Sequence, residues 1–202
     1  MSDPYLLTLH TLTLRQLADA DQLAAIIEQD ADDIKAALEK GIAVAAVAAA
    51  RGSYMITPAG RDVLDAAYPA WFADQRSDQA LVDAIEQFEA GVNKRVLTLM
   101  TDWQTIDVNG DRAPNHHADA DYDAKIIDRL GGAHEKAHRV LQPLVDREPY
   151  VGRFLARVGA ALTRAESGET DYVSGVRVDS FHTVWFQMHE HLLRVMGRER
   201  PE

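Results

Sequence analysis

Residues 180–196 have the sequence SFHTVWFQMHEHLLRVM, a long stretch that is aromatic, rich in histidine and periodic. Its apolar side chains recur every three or four residues, which is the spacing of one buried face of an α-helix. These side chains are Phe181, Trp185, Met188, Leu192 and Val195. Ser180 stands where an N-cap is expected, because its hydroxyl can accept a hydrogen bond from the first turn. The stretch therefore predicts a buried helix.

Two imidazoles, His182 and His189, lie beside this apolar face. A buried polar group without a partner costs about 1–3 kcal/mol, so polar groups from elsewhere should converge here. Two interpretations stay open: a polar network in the core, or a ligand pocket with tryptophan walls. The candidate ligand-binding residues are Asp102, Trp103, His117, Asp119, Tyr122, Asp123, His134, His182, Trp185, His189 and Glu190.

Length and composition limit the number of domains, the chemistry and the cellular location that this chain can have. A chain of 202 residues with 47% hydrophobic content can bury a sizeable core, and we expect two domains, residues 1–74 and 75–202. The absence of cysteine excludes disulfides and thiolate chemistry. The N-terminal residues lack the features of a signal peptide, and no apolar run approaches the roughly 20 residues that span a bilayer. We therefore expect a cytoplasmic protein with no membrane partner.

The first domain has the pattern of three helices, a β-hairpin and a closing helix. Asp21 is a candidate cap for the second helix, and Asp30 or Asp32 for the third. Ile42, Val44 and Val47 predict a strand, Arg51-Gly52-Ser53 a turn, and Tyr54-Met55-Ile56 the returning strand. Thr57-Pro58 suits the start of the closing helix, with Val63 and Leu64 facing inward. The predicted fold class is mainly α, with an N-terminal winged helix-turn-helix and an all-helical C-terminal domain.

The segments LEKGIAV (38–44) and RGSYMITPAGRDVL (51–64) resemble the recognition-helix end, wing and exit helix of MarR-like winged-helix regulators. In that family a tyrosine, an aliphatic residue, a threonine and a Gly-Arg pair follow the wing at this spacing. The resemblance covers about a third of the chain. It implies a transcription regulator that binds DNA, and the cations available for DNA are Lys35, Lys40, Arg51 and Arg61.

Charge opposes DNA binding. The chain carries a formal net charge of −11, and residues 1–74 contain 5 Lys and Arg against 11 Asp and Glu. Helices that enter the major groove normally present hydrogen-bond donors to phosphates and guanine. We therefore expect DNA binding that is weak and strongly dependent on salt.

The second domain begins with a candidate boundary at residues 74–78, followed by an apolar seam from Leu81 to Ile106 in which Gly91 could introduce a kink. Such a seam predicts a long helix, and with the aromatic last helix it favours a homodimer formed through helical surfaces. Asp107–Asp119 is expected to be a polar loop. Helices are expected over residues 121–144, interrupted at Gly131-Gly132, and from Pro149 to about Ser167.

A second resemblance covers nearly the whole chain. TDWQ (101–104), NHHADADYD (115–123) and DSFHTVWFQMHEHLL (179–193) are similar to the helical region of some actinobacterial pyruvate-phosphate-dikinase-like proteins, which also carry a winged-helix segment. This chain has His116 and His191 where that family usually has aspartate. The resemblance implies an accessory or regulatory module, without phosphotransfer activity.

A literal H-E-x-x-H motif occurs at residues 134–138. On a helix, His134 and His138 share a face and could bind zinc, with Glu135 as a general base. Leu141 and Leu144 stand where the extended motif requires glycine and histidine, and His182 and His189 lie about 10.5 Å apart along a helix, too far to share one zinc. No nucleophile or phosphate-loop motif is present. We therefore assign no cofactor and no metal ligand, and the sequence does not support enzyme activity; whether His134, His138 or His182 binds a metal stays open, with a metal-dependent helical enzyme as the weakest alternative.

Overall fold

The computed structural model describes residues 3–108 and 110–198. The chain divides into two compact units, one formed by Met1–Ser77 with Glu190–Glu202 and the other by Asp78–His189. Helices dominate both units, which confirms the predicted mainly α fold class. None of the helices in the described residues has the length and apolar character needed to cross a membrane.

The first unit has the element order of a winged helix-turn-helix: three helices, a two-stranded antiparallel hairpin, and a closing helix followed by a short one. Their apolar faces form its core. The elements are α1 (Pro4–Arg15), α2 (Ala20–Ile27), α3 (Ala31–Ala43), β1 (Val47–Ala50), β2 (Ser53–Ile56), α4 (Pro58–Trp71) and α5 (Ala73–Ser77).

Side chains that precede α2, α3 and α4 cap the first turns of these helices. Asp30 accepts from the N–H of Asp32 and Thr57 accepts from the N–H of Gly60, which confirms these two predicted caps. The cap of α2 is Asp19 rather than Asp21, because Asp19 and Gln22 form a reciprocal capping box. Each such cap stabilises its helix by about 1 kcal/mol.

The hairpin begins later than the sequence predicted. Ile42 belongs to α3 and Val44 is its C-cap, and both side chains are exposed, so only Val47 of the predicted strand residues lies in β1. The prediction failed because these alternating apolar residues fit a helix end as well as a strand. Leu64 is buried as expected, but Val63 is 37% exposed.

Close approach of backbone explains Gly60 in α4. A Cβ atom at this position would lie 2.2 Å from the carbonyl oxygen of Ala46 and 2.7 Å from Ile56 Cγ1. The N–H of Thr57 donates to the same Ala46 carbonyl at 3.0 Å. Glycine therefore lets the start of α4 lie directly against the base of the wing.

The second unit contains five helices, a π-helical segment and a second hairpin among the described residues. In chain order, before the last helix, these are α6 (Gln79–Gln87), the π-helical segment (Phe88–Asn93), α7 (Lys94–Gln104), β3 (Thr105–Val108), β4 (Asp111–Pro114), α8 (Ala120–Arg147), α9 (Pro149–Glu166) and α10 (Asp171–Ser174).

The predicted apolar seam is buried inside the chain as far as Trp103. Its members Leu81, Ile85, Phe88, Val92, Val96, Leu99 and Trp103 are all at most 3% exposed. Around Gly91 the helix widens into the π-helical segment, and the sequence had predicted a kink there. Because the fold itself covers this seam, the seam does not require a partner chain.

A β-hairpin replaces the expected loop and corrects the prediction that the C-terminal domain is all-helical. β3 pairs with β4 in antiparallel register, with Ile106 opposite Ala113 and Val108 opposite Asp111. Ile106 therefore belongs to a strand and not to the seam helix. Between the strands, Gly110 has φ +93°, and Asn109 lies outside the described residues. Asn-Gly is a strong hairpin signal, so the sequence contained this information.

Helix α8 runs without interruption through Gly131-Gly132, where a break was predicted, and through Pro143. It packs along α9, and this contact offsets the poor helix propensity of glycine.

The last helix, α11, spans Phe181–Met196 and contributes to both units. The predicted stripe is confirmed, because Phe181, Trp185, Met188, Leu192 and Val195 are at most 2% exposed. The Ser180 hydroxyl accepts from the N–H of Thr183, which confirms the predicted cap. In the first unit, the Arg76 guanidinium donates to the carbonyl oxygens of Arg194 and Val195 at 2.9 and 2.7 Å and so satisfies this end of α11.

Candidate functional site

The candidate site is a cavity of about 600 Å³ in the second unit, between the β3–β4 hairpin, the end of α7 and the start of α8. Its walls combine charged, polar and apolar side chains. They are Asp102, Ile106, Asp107, Arg112, Asn115, His116, Ala118, Asp119, Tyr122 and Arg129. Its volume lies within the range of about 300–1,000 Å³ that small-molecule sites occupy.

Asn115 and Asp123 fasten the loop that borders this cavity. Asn115 Nδ2 donates to the carbonyl oxygen of Trp103 at 2.9 Å and to Asp123 Oδ1 at 3.2 Å. His117 Nδ1 lies 3.0 Å from Asp123 Oδ2, and because a carboxylate only accepts, this nitrogen carries the proton and donates. Asp123 is only 6% exposed, so these two donors satisfy a carboxylate that burial would otherwise penalise.

His117 adopts a left-handed backbone conformation, with φ +55°. Its N–H donates to Asn115 Oδ1 at 2.9 Å, and its ring stacks at a tilt on Trp103 with a centroid distance of 4.4 Å. Such a conformation is uncommon outside glycine and persists where surrounding contacts hold it. The loop therefore has a defined shape at the edge of the cavity.

Asp102 interacts with two arginine side chains at the wall of the cavity. Arg112 donates to Asp102 Oδ1 through Nη1 and Nη2 at 3.2 and 3.3 Å, and Nη1 also donates to Thr105 Oγ1 at 2.9 Å. Arg129 Nη1 lies 3.9 Å from Asp102 Oδ2. The Tyr122 hydroxyl donates to the carbonyl oxygen of Asp102 at 3.0 Å. Two guanidinium groups thus flank one carboxylate at the cavity wall.

A second polar cluster lies on the π-helical segment and α11. Trp185 Nε1 donates to Asn93 Oδ1 at 3.0 Å, and Asn93 Nδ2 donates to Glu89 Oε2 at 3.2 Å. His189 Nε2 lies 2.9 Å from the same Glu89 oxygen. This arrangement is a partly buried polar network, the alternative to a ligand pocket that the sequence left open.

The predicted ligand-binding residues therefore occupy several places. Asp102, Asp119 and Tyr122 line the cavity, and Trp103, His117 and Asp123 support it. Trp185 and His189 belong to the cluster with Glu89 and Asn93, and His182 lies half-buried in the first turn of α11. Glu190 belongs to the first unit, where it accepts from Arg194 Nη2 at 2.8 Å.

His134, the first histidine of the H-E-x-x-H motif, holds α8 against α9. Its Nε2 lies 2.9 Å from the carbonyl oxygen of Leu155, and because a carbonyl only accepts, this nitrogen carries a proton and cannot bind a metal in this arrangement. The two rings of the motif lie 4.7 Å apart, and partial burial, followed by the proximity of His134, lowers the pKa of His138. Across residues 3–108 and 110–198, no three His, Asp or Glu side chains are grouped so that they could hold a metal ion.

A third cluster lies in the core of the first unit. His10 Nδ1 lies 2.9 Å from the Tyr68 hydroxyl and His10 Nε2 lies 2.9 Å from His191 Nδ1, with both imidazoles fully buried. Burial above all, followed by the charges of His191 and Arg194, holds the pKa of His10 well below its ordinary value of 6.5. His191, which departs from the pattern of the dikinase-like proteins, is therefore a core residue.

The winged-helix surface carries both basic and exposed apolar side chains. Lys35 pairs with Asp32 at 3.3 Å and Lys40 lies 4.0 Å above the ring of Tyr5, while Arg51 is exposed at the wing turn with φ +53° and Arg61 is exposed on α4. Apolar side chains are also exposed around the end of α3 and the wing. They are Ile42, Val44, Met55 and Val63.

Sequence reasoning missed several residues of these clusters. Arg112 and Arg129 carry no local signal, because the β3–β4 hairpin brings Arg112 to Asp102 and the packing of α8 against α7 brings Arg129 there. Glu89 and Asn93 stand four residues apart beside the apolar seam, and this spacing could have indicated that their side chains face α11. His10 lies among the leucines of α1, which is the pattern of a buried polar residue.

The fold and the site together define a protein with a winged-helix unit and a mainly helical unit. The helical unit contains a polar cavity large enough for a small organic molecule. No protein-family model matches the chain, and no curated protein or solved structure matches it.

Proposed function

We propose that this protein is a cytoplasmic winged-helix transcription regulator whose helical unit binds a small-molecule effector. The observation that carries the proposal is the cavity of about 600 Å³ in a chain that also has a winged helix. Its size, its apolar surfaces and its few convergent charged groups are typical of small-molecule sites. The effector would bind at Asp102, Arg112, Tyr122 and Arg129.

DNA binding would depend on Lys35, Lys40, Arg51 and Arg61. Lys35 and Lys40 already contact Asp32 and Tyr5, so part of their interaction with phosphates would replace existing contacts. A dimer would offer about eight phosphate contacts, and affinity should fall by about 10³- to 10⁵-fold between 50 and 200 mM salt.

Fluorescence anisotropy with labelled duplex DNA tests this expectation at both salt concentrations. Arg51→Gln should weaken binding to all sequences similarly, because a wing arginine mainly contacts the backbone or minor groove. Arg139→Gln, which removes an exposed arginine from α8, serves as the control. Nanomolar binding that is insensitive to salt would contradict the electrostatic argument.

A homodimer formed through helical surfaces remains part of the proposal. Leu97 of the second unit is 55% exposed on α7, and an interface through this helix would bury it. Sedimentation velocity at tens of micromolar protein tests the homodimer, and a monomer at these concentrations would contradict it.

The second candidate function is a regulatory module of a metabolic enzyme that does not bind DNA. Ile42, Val44, Met55 and Val63 are exposed on the winged helix, and exposed apolar side chains suit a contact with another protein better than a contact with DNA phosphates. The two candidates differ at low salt: if duplex DNA does not bind even at 50 mM salt, the accessory module is the better explanation.

A further inference from the structure

We propose that the cavity binds a small zwitterion of the amino-acid type, with its carboxylate at Arg129 and Arg112 and its ammonium group at Asp107 and Asp119. This inference rests on the proposed function, because it names the chemical class of the effector. It is carried by the size of the cavity, the hydrogen-bonding state of its charged groups and the balance of their charges.

The size of the cavity indicates an organic ligand. A volume of about 600 Å³ is far larger than an inorganic ion requires. Ile106, Ala118 and the side chain of Tyr122 provide apolar surface between the charged groups. A ligand with a short aliphatic or aromatic body would cover this surface.

The guanidinium of Arg129 is available to a carboxylate. Its interaction with Asp102 is a loose ion pair at 3.9 Å, and it makes no hydrogen bond within the described residues. An arginine carries five N–H donors in a fork that matches the two oxygens of a carboxylate. Arg112 uses Nη1 and Nη2 on Asp102 and Thr105, which leaves its Nε for a second contact.

Two carboxylates of the cavity each have one oxygen available. Asp107 Oδ1 accepts from the N–H of Gly110 at 2.9 Å. Asp119 Oδ1 accepts from the N–H groups of Asp121 and Tyr122 at the start of α8. The second oxygen of each carboxylate has no hydrogen bond in the part of the chain that the structure describes. An ammonium group, with three donors and no acceptor, suits these oxygens.

The charges of the walls distinguish a zwitterion from a simple anion. Asp102, Asp107 and Asp119 oppose Arg112 and Arg129, so the lining is net negative when His116 is neutral. A simple anion could bind the guanidinium of Arg129, but the net negative charge of the lining would repel it. A zwitterion gives each charged end an opposite partner and leaves the net charge unchanged, so both sets of charges favour it.

Isothermal titration calorimetry of the full chain with the twenty proteinogenic L-amino acids tests the inference. For the amino acid that binds most tightly, the analogue without the amino group and the analogue without the carboxylate are titrated next. Each should bind about 10- to 100-fold more weakly, since each lacks one set of charge-assisted hydrogen bonds.

Variants then assign the two ends of the ligand. Arg129→Gln should weaken the binding of the amino acid about tenfold or more but leave the affinity of the decarboxylated analogue unchanged. Asp107→Asn should weaken the binding of the amino acid but not that of the deaminated analogue. Arg139→Gln, on the same helix and outside the cavity, should change neither affinity. Unchanged circular dichroism and melting temperature would show that the variants are folded.

Two results would contradict the proposal that the ligand is a zwitterion. One is a deaminated analogue that binds as tightly as the amino acid. The other is the absence of binding by all twenty amino acids while a compound of another class binds and is lost in Arg129→Gln; in both cases the cavity remains an effector site. If a broad metabolite panel yields no ligand of any class, the proposed effector function fails together with the inference.

Discussion

His10 Nε2 lies 2.9 Å from His191 Nδ1, and neither imidazole is exposed to solvent. Of two nitrogens in such contact, one must carry a proton and the other must accept it. A neutral pair satisfies this requirement, and the Tyr68 hydroxyl extends the chain at His10 Nδ1. A charge on His10 would be buried without solvent and close to Arg194, so this part of the core depends on a neutral His10.

The first prediction is that the protein loses stability as the pH falls below about 6.5. Burial holds the pKa of His10 well below 6.5 in the folded state, so in this range the unfolded chain binds more protons than the folded chain. The free energy of unfolding therefore decreases with falling pH until His10 also becomes protonated in the folded protein, by about 1.4 kcal/mol for each unit of pKa difference.

Urea unfolding at pH 7.5 and pH 5 measures this effect. The difference between the two pH values should be smaller in His10→Gln, which cannot titrate. His116→Gln removes an exposed histidine as the control and should retain the full difference. An equal pH dependence in the protein and in His10→Gln would contradict the prediction.

The second prediction concerns Gly60, against which the wing packs. Gly60→Ala places a methyl group 2.2 Å from a backbone oxygen that cannot move away without disturbing β1. We expect a loss of about 1–3 kcal/mol or more in the free energy of unfolding. Gly132→Ala is the matched control, because nothing lies within 4 Å of its Cβ and alanine favours a helix by about 0.5–1 kcal/mol. Thermal denaturation that ranks the two variants the other way would be inconsistent with this explanation.

The third prediction is that Asp123 links stability to ligand binding. Asp123→Ala leaves the donors on Asn115 and His117 without their carboxylate, which should cost about 2–4 kcal/mol. Ligand affinity should fall as well, because the loop that these residues fasten borders the cavity. Asp121→Ala, at an exposed position of the same helical turn, provides the comparison in unfolding and calorimetry.

The fourth prediction is that His134 acts through its hydrogen bond and not through a metal. His134→Ala should lower the free energy of unfolding by about 0.5–1.5 kcal/mol, because the hydrogen bond from α8 to the Leu155 carbonyl of α9 is lost. Neither added zinc nor a chelator should shift the melting temperature of the unmodified protein. Stoichiometric zinc in purified protein that disappears in His134→Ala would refute this assignment.

Local patterns predicted much of this fold. The apolar stripe of α11 repeats over more than four turns, so its periodicity identified the buried face directly. Thr57 and Asp30 were recognisable as caps because their roles depend on neighbouring backbone. The boundary between Ala43 and Val47 was harder to predict, because the end of α3 and the start of β1 share small apolar residues.

The cavity was predictable only in part, because tertiary contacts complete it. Asp102, Asp119 and Tyr122 were expected to meet, since they belong to polar motifs beside buried segments. Arg112 reaches Asp102 only because residues 105–114 fold into a hairpin, and Arg129 reaches it only because α8 packs against α7. Without these two features, no local pattern places an arginine in the site.

The shared helix α11 also affects the order in which this protein can fold during synthesis. His10 and Arg76 emerge from the ribosome early, but their partners in residues 190–198 emerge only after the whole of Asp78–His189. At about 5–20 residues per second, translation of these roughly 110 residues takes roughly 5–20 s. During this interval the nascent winged helix exposes the core surface that α11 later covers, so its folding can be completed only after the whole of Asp78–His189 has been translated.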